Sequence, residues 1–263
     1  MTDGAGAVPV VTYVVDGGVA TITLDSPANR NALSAVVRRQ LGEHLAAATA
    51  DEAVRVVVLT HTGPAFCAGA DLKESRGASP VDQGVADLPG LLLAVMSCPK
   101  PVLARIAGAA RAGGTGLMAA CDIVVAADDV TFAFPEVRLG LVPAVISVPL
   151  RRRMPAQPMR ALFLSGEAFD AERAAALGLV DAAVPITRLD DEVDRWVTML
   201  LHGAPRALAA TKAVLAEPSE ELAAELDVLG RLSAAHFSSA EGQEGLEAFA
   251  EKRAPVWTAR PTR

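Results

Sequence analysis

The sequence predicts an α/β protein whose C-terminal third is helical. Three observations carry that expectation. Short apolar, β-branched runs alternate with segments of helical spacing over the first two thirds of the chain. Two loops rich in glycine and alanine each follow a buried-type strand. Beyond about Ser165, alanine, leucine and charged residues at three- and four-residue spacing dominate.

Residues 10–15 and 19–24 are β-branched runs on either side of Asp16-Gly17-Gly18, whose residues accept the positive φ of a tight turn, so the chain opens with a hairpin. From Ser34, a plausible N-cap, apolar residues recur at Val36, Val37, Leu41, Leu45 and Ala48, and residues 54–60 then form a nearly all-apolar strand of the parallel type. The alternation continues with a Gly-rich loop over 63–71, a helix around 91–96 and a strand near 102–106. A Gly-rich turn at Gly113-Gly114, a helical stretch and a strand at 123–126 follow. No convincing run of strands follows 179–184. Helices are expected over 190–202, 206–216, 220–236 and 241–253. A soft boundary near 190–205 divides an α/β core, 1–195, which holds the candidate site, from a helical region, 196–263.

At 263 residues the chain can bury a core without disulfides or metals. A net charge of −7, with no basic run longer than Arg151-Arg152-Arg153, argues against nucleic acid or anionic lipid as a partner. Cys67, Cys98 and Cys121 are odd in number and lack a CxxC pair, so they read as reduced core thiols. The four histidines are scattered singly, and no metal site is visible. Met1-Thr2-Asp3-Gly4 shows no basic and apolar leader pattern, which makes the cytoplasm the expected location.

Chemistry has few candidates. The loops Gly63 to Glu74 and Gly108 to Gly116 are built of small residues that let a ligand reach backbone N–H groups, and the second leads into a helix whose first turn has unpaired donors. The alternative is that these glycines only serve tight turns and close packing. Neither loop carries a nucleotide P-loop pattern. Glu136 stands between apolar segments, so desolvation should raise its pKa toward the range of a neutral-pH acid and base, unless it is paired with Arg138 or another cation.

At this point a family resemblance emerges. Asn29-Arg30-Asn31-Ala32-Leu33 and the run from Phe66 to Glu74 come first. Gly113-Gly114 leading to Ala120-Cys121-Asp122-Ile123, and then Pro135-Glu136-Val137-Arg138-Leu139-Gly140, follow in the order and spacing of the enoyl-CoA hydratase/isomerase (crotonase) superfamily. The stretches 164–181 and 241–253 resemble its later signatures, so the likeness spans nearly the whole chain. It implies a crotonase-like spiral of ββα units with a C-terminal helical trimerisation region, assembled as a homotrimer or a hexamer of two trimers. It also implies an acyl-CoA thioester as ligand, with coenzyme A part of the substrate and no further cofactor. The N–H groups of Ala70 and Gly113 would form an oxyanion hole, and Glu136 would exchange protons. Ala68, Asp71, Leu72 and Lys73 resemble the stretch along coenzyme A, Arg30 could approach a CoA phosphate, and Phe249 and Lys252 would lie beside the CoA site. Gly116 and Ala144 would line the acyl pocket.

One departure matters. Hydratases of the family carry a second glutamate at the position of Gly116, and the glycine pair after the next Pro is replaced by Ala144-Val145-Ile146, which should make the acyl pocket tighter. Three readings follow: a hydratase adding water to a 2-enoyl thioester, a Δ3,Δ2-isomerase using Glu136 alone, and a non-catalytic acyl-CoA binder. Room for a glutamate at Gly116 depends on how the 144–146 segment packs.

Overall fold

Gly17 and Gly18 take φ of 55° and 84° and close the hairpin, so β1 (Val11–Asp16) and β2 (Val19–Leu24) pair antiparallel along their whole length. The structure, a computed structural model, describes residues 9–75, 87–216 and 219–258; the leader reading of residues 1–4 falls outside them. Ser34 caps α1 (Ala35–Ala50) by accepting the Val37 N–H at 3.3 Å, and Val37, Leu41, Leu45 and Ala48 form its buried face. The chain then runs through β3 (Val56–His61), β4 (Ala65–Cys67), α2 (Leu72–Ser75) and α3 (Leu88–Met96). Next come β5 (Val102–Ile106), β6 (Ala109–Arg111), α4 (Gly113–Ala119), β7 (Ile123–Ala127) and β8 (Thr131–Ala133). After them lie α5 (Ser147–Arg151), α6 (Ala156–Ser165), β9 (Ala168–Asp170), α7 (Ala171–Ala176) and β10 (Ala182–Val184). Helices α8 (Leu189–His202), α9 (Pro205–Leu215), α10 (Ser219–Phe237) and α11 (Ala240–Glu251) complete it.

From β3 to β8 successive strands alternate between two sheets. The larger has the order β1-β2-β3-β5-β7-β10, parallel from β2 onward, and the smaller has the order β4-β6-β8-β9, with only its β8–β9 pair antiparallel. Each of β3, β5 and β7 thus hands the chain to a three-residue strand before the next helix, which is the expected spiral of ββα units. Val56, Val57 and Val58 of β3 are all buried, as a parallel strand covered on both faces requires.

Three features differ from the sequence expectation. Gly113-Gly114 is the first turn of α4 rather than a separate turn. A strand, β9, lies beyond Ser165, where none was expected before residue 179. The strands of the smaller sheet were not read from the residue pattern, only implied by the resemblance to a spiral of ββα units. At the other end, position 195 falls inside α8, and Leu189 and Val193 share one core with Leu222 and Leu226 of α10. A second apolar cluster, Leu141, Phe237 and Leu246, packs with Ala70, Leu72 and Leu139, tying the last two helices to the first loop. Cys67, Cys98 and Cys121 are free and buried. Among the described residues no helix is long and apolar enough to cross a membrane.

Candidate active site

The two Gly-rich loops meet, and an asparagine aligns the first of them. Asn31, fully buried, accepts the Ser26 N–H at 2.7 Å and donates to the Thr62 and Ala65 carbonyls at 2.9 and 2.8 Å. Arg30 and Asn31 both adopt left-handed backbone, φ 56° and 53°, which reverses the chain and lays it along the loop. The Ala68 N–H then donates to the Arg30 carbonyl at 3.0 Å, and the Leu33 N–H to the Gly69 carbonyl at 2.7 Å. The Gly69 N–H points at the Cys67 sulfur, 3.5 Å away. The next donor along, the Ala70 N–H, has no protein acceptor among the described residues.

The second loop repeats the device. Ala112 donates to the Ala133 carbonyl at 3.1 Å and takes φ 48°, ψ −123°, a conformation costing a non-glycine residue about 1–3 kcal/mol. This kink ends β6 and starts α4 within one residue. The Thr115 and Gly116 N–H groups return to the Ala112 carbonyl, while the Gly113 N–H, at the first position of the helix, finds no acceptor among the described residues. Close packing brings the loops together. A Cβ on Gly69 would stand 2.8 Å from the Ala112 Cβ and 3.3 Å from the Gly113 nitrogen, and one on Gly114 would stand 2.4 Å from the Cys67 carbonyl oxygen. Both free N–H groups belong to residues lining one cavity of about 470 Å³, the size of a small-molecule site.

Glu136 enters the same cavity from a 3-10 turn, Pro135–Leu139. The preceding Phe134 anchors the turn, its ring packing at 4.8 Å from that of Phe163 and 5.5 Å from that of Phe169. Gly140, at φ 66°, ends the turn where a Cβ would strike the Glu241 carbonyl oxygen of α11, 2.5 Å away. The Glu136 side chain is buried, and its Oε2 has no hydrogen-bond partner. Burial pushes its pKa from an ordinary 4.5 up to about 8, against a smaller pull downward from its own N–H. The pairing with Arg138 considered from sequence is not formed; Arg138 instead donates through Nε to the Ser165 carbonyl at 2.9 Å. The arrangement places a buried carboxyl and two backbone donors without described acceptors in the lining of one largely apolar cavity.

Of the residues singled out from sequence, Glu136, Ala70, Gly113, Arg30, Ala68, Leu72 and Phe249 line this cavity. Asp71, Lys73, Gly116, Ala144 and Lys252 do not. Asp71 accepts the Lys73 N–H at 3.0 Å, at the start of α2, and Lys73 and Lys252 are exposed. Ala144 is buried and spends its carbonyl on the Ser147 hydroxyl, at 2.6 Å. Gly116 sits behind the wall: a Cβ there would stand 2.6 Å from Ile146 Cγ2, so Ile146 occupies the space a side chain at 116 needs. Ile146 itself lines the cavity. Sequence reasoning passed over Arg111, Phe237 and Leu33, which also line it. Arg111 had a visible signal as the only charged residue among Gly108 to Gly116. His61 is accounted for without a ligand, since its Nε2 accepts the Ala107 N–H at 3.0 Å.

Fold and cavity together define a protein of the crotonase class, with a ββα spiral and a cavity at the junction of its two loops. Residues 15–260 match the family model described as Enoyl-CoA hydratase/isomerase. The chain belongs to the enoyl-CoA hydratase/isomerase family. It is 41% identical to an enoyl-CoA hydratase of known structure from Mycobacterium avium, covering 95% of this chain and 100% of that one with a TM-score of 0.86. A Rhodobacter capsulatus protein named as a probable enoyl-CoA hydratase is 37% identical over 95% of this chain and 98% of its own. A methylmalonyl-CoA decarboxylase in complex with 2-nitronate-propionyl-CoA is 26% identical, covers 95% and 98% of the two chains, and has a TM-score of 0.79.

Proposed function

We propose that this enzyme adds water across the double bond of a 2-enoyl-CoA thioester, with Glu136 as acid and base and the Ala70 and Gly113 N–H groups as the oxyanion hole. One observation carries the reading: a buried carboxyl with an unpartnered oxygen shares a cavity with two backbone donors that have no protein acceptor. Water attacks C3 while negative charge passes through C2 to the thioester oxygen, where fixed dipoles stabilise it without reorganising, at roughly 2.7–4 kcal/mol per well-placed donor. Glu136 takes the water proton and returns a proton to C2. A pKa near 8 lets both of its forms take part at neutral pH. The name and bound ligand of the decarboxylase neighbour support a CoA thioester as ligand, and the proposed chemistry calls on no cofactor beyond it.

Arg30 and Leu72, at the cavity, and Asp71, Lys73 and Lys252, outside it, are assigned to the coenzyme A portion. Phe249, 60% exposed although it lines the cavity, fits a site completed by a neighbouring subunit in a trimer or hexamer. Three free buried thiols suit a reducing cytoplasm.

A second reading, Δ3,Δ2 double-bond isomerisation by Glu136 alone, is favoured by Ile146, which fills the space a second glutamate at position 116 would need. Incubation with 2-enoyl-CoA and 3-enoyl-CoA esters separates the two, hydration adding the mass of one water and isomerisation moving ultraviolet absorbance without it. Glu136→Gln should lower either turnover by about 10²- to 10⁴-fold. Full turnover in that variant would remove Glu136 from the mechanism, and no turnover of any ester by the native chain would leave only the binding role.

A further inference from the structure

Three arginines line the cavity, Arg30, Arg111 and Arg138, and none pairs with a carboxylate among the described residues; Arg30 is the one assigned above to coenzyme A. Arg111, half-buried at the end of β6, donates through Nη1 to the Ala110 carbonyl at 2.9 Å and to the Thr131 carbonyl, and through Nη2 to the Thr131 hydroxyl at 2.7 Å. All of these acceptors are neutral. They take three of its five N–H groups, and the other two have no partner among the described residues. Arg138, which is exposed, is engaged among the described residues only at Nε, by the Ser165 carbonyl.

Arg111 is unlike the other sheltered arginines in the chain. Arg38, Arg105 and Arg153, with side chains 4%, 23% and 12% exposed, each meet a carboxylate, Asp87, Asp190 and Asp181 respectively. Arg55 is held by carbonyls alone, but those of Leu201 and Gly203 lie at the C-terminal end of α8, where a cation belongs. Arg111 faces strand carbonyls, which carry no such net dipole.

The surroundings give Arg111 and Arg138 room. Ala133 pairs with Arg111 between β6 and β8, Ala168 pairs with Ala133 between β8 and β9, and Arg138 lies over Gly166, where a Cβ would come within 3.1 Å of its Nε. Ala133, Ala168 and Gly166, all small, therefore line the cavity between the backbone position of Arg111 and the side chain of Arg138. Among the lining residues the only acid is Glu136, which is predominantly uncharged at neutral pH. Arg30 and Arg138 are exposed, so Arg111 is the one half-buried guanidinium among the described lining residues, placed where an acyl chain could reach it.

We propose that the acyl group accepted here ends in a carboxylate, held by Arg111 with Arg138 as a second donor, so that the substrate class is the mono-CoA thioester of a dicarboxylic acid. The proposal rests on the reading of this cavity as an acyl-thioester site. A carboxylate would meet the open N–H groups of Arg111 and neutralise a charge that the protein leaves uncompensated, whereas a methyl-ended chain would leave Arg111 without a counter-charge.

Titration calorimetry of the native protein with succinyl-, glutaryl- and adipyl-CoA against butyryl-, pentanoyl- and hexanoyl-CoA, with free coenzyme A alongside, tests it. At least one dicarboxylic thioester should bind roughly 10- to 100-fold more tightly than the methyl-ended thioester of equal carbon count. Arg111→Met should bring that ratio to within about twofold, and Arg111→Lys, which keeps the charge but not the fork, should retain an intermediate ratio. Equal affinity of the two series for the native protein overturns the proposal without any variant and leaves the acyl-CoA reading standing. A similar loss by Arg111→Met toward both series and free coenzyme A also overturns it, by placing the arginine on a CoA phosphate. If no thioester and no coenzyme A bind, the acyl-CoA reading fails first and takes this one with it.

Discussion

Glu136→Gln replaces a buried group that resists ionisation with one that cannot ionise, so the two proteins should diverge in stability as pH rises. In the folded chain burial pushes the Glu136 pKa up to about 8, whereas in the unfolded chain water restores an ordinary value near 4.5. Between those values the folded state still holds a proton that the unfolded state has released. Stability contributed by this group is therefore fully present below the unfolded value and is lost as pH rises toward the folded one, the reverse of the usual salt-bridged carboxylate. The loss relative to low pH is about 1 kcal/mol at pH 5, about 3 kcal/mol at pH 7 and about 5 kcal/mol once pH exceeds the folded value, at roughly 1.4 kcal/mol per pKa unit. Glutamine has nearly the same volume and no such loss, so Glu136→Gln should gain on the native protein by these amounts. Urea unfolding of both proteins at pH 5, 6, 7 and 8 measures the gap. Both must be at one concentration, because an assembling chain gains stability with concentration. A gap that does not widen with pH, or a native protein that is the more stable at pH 8, would refute the claim that burial governs the charge of this group.

Three further substitutions probe the scaffold. Gly69→Ala puts a Cβ 2.8 Å from that of Ala112 at φ 92°, prising the loops apart; kcat should fall about 10²-fold or more, and a variant with unchanged turnover would dissociate the Ala70 and Gly113 N–H groups from the chemistry. Gly116→Ala should cost about 1–3 kcal/mol through its clash with Ile146, and Ile146→Ala in the same chain should return part of that, read as a positive coupling in a double-mutant unfolding cycle. Asn31→Ala strands the Thr62 and Ala65 carbonyls and the Ser26 N–H, and should cost about 3 kcal/mol by thermal or urea unfolding; a loss below about 1 kcal/mol would show that water replaces these bonds.

The elements legible in the sequence are those long enough to show a period. The hairpin, α1, β3, β5, β7 and the four helices after β10 were all expected, each within a few residues of its place. The strands of the smaller sheet were not read from the pattern, because β4, β6, β8 and β9 have three residues each, too few to display alternation, and three of the four adjoin Gly-containing loops. Glu136 was legible as a lone carboxylate among apolar neighbours, and the loops were legible as donor-rich. That the loops touch was not, because contact is decided by where Gly69 and Gly114 sit against residues over forty positions away. Arg111 was visible as a charge among small residues, but without the strand register its direction could not be read.

Gly116 and Ile146 amount to a single choice, since a side chain at 116 and the branched side chain at 146 would occupy the same space. Where the family's hydratases place a second carboxylate, this cavity therefore has a hydrocarbon wall. That exchange acts on Glu136 in two ways. It removes a like charge, which would have raised the Glu136 pKa by repulsion, and it removes a polar surface, whose loss raises the same pKa by desolvation. The lower local dielectric also strengthens the pull of the Ala70 and Gly113 N–H groups on a developing oxyanion. In the proposed function, proton exchange falls to one group of pKa about 8 and charge stabilisation to the backbone. A reaction that moves one proton between two carbons can run on such a site unaided. Hydration additionally needs a water held at C3, and the unpartnered Oε2 of Glu136 is the acceptor in this wall that can hold it. Opening space with Ile146→Ala while supplying Gly116→Glu should then raise hydration relative to isomerisation, and an unchanged ratio in a folded double variant would show that Glu136 already positions the water by itself.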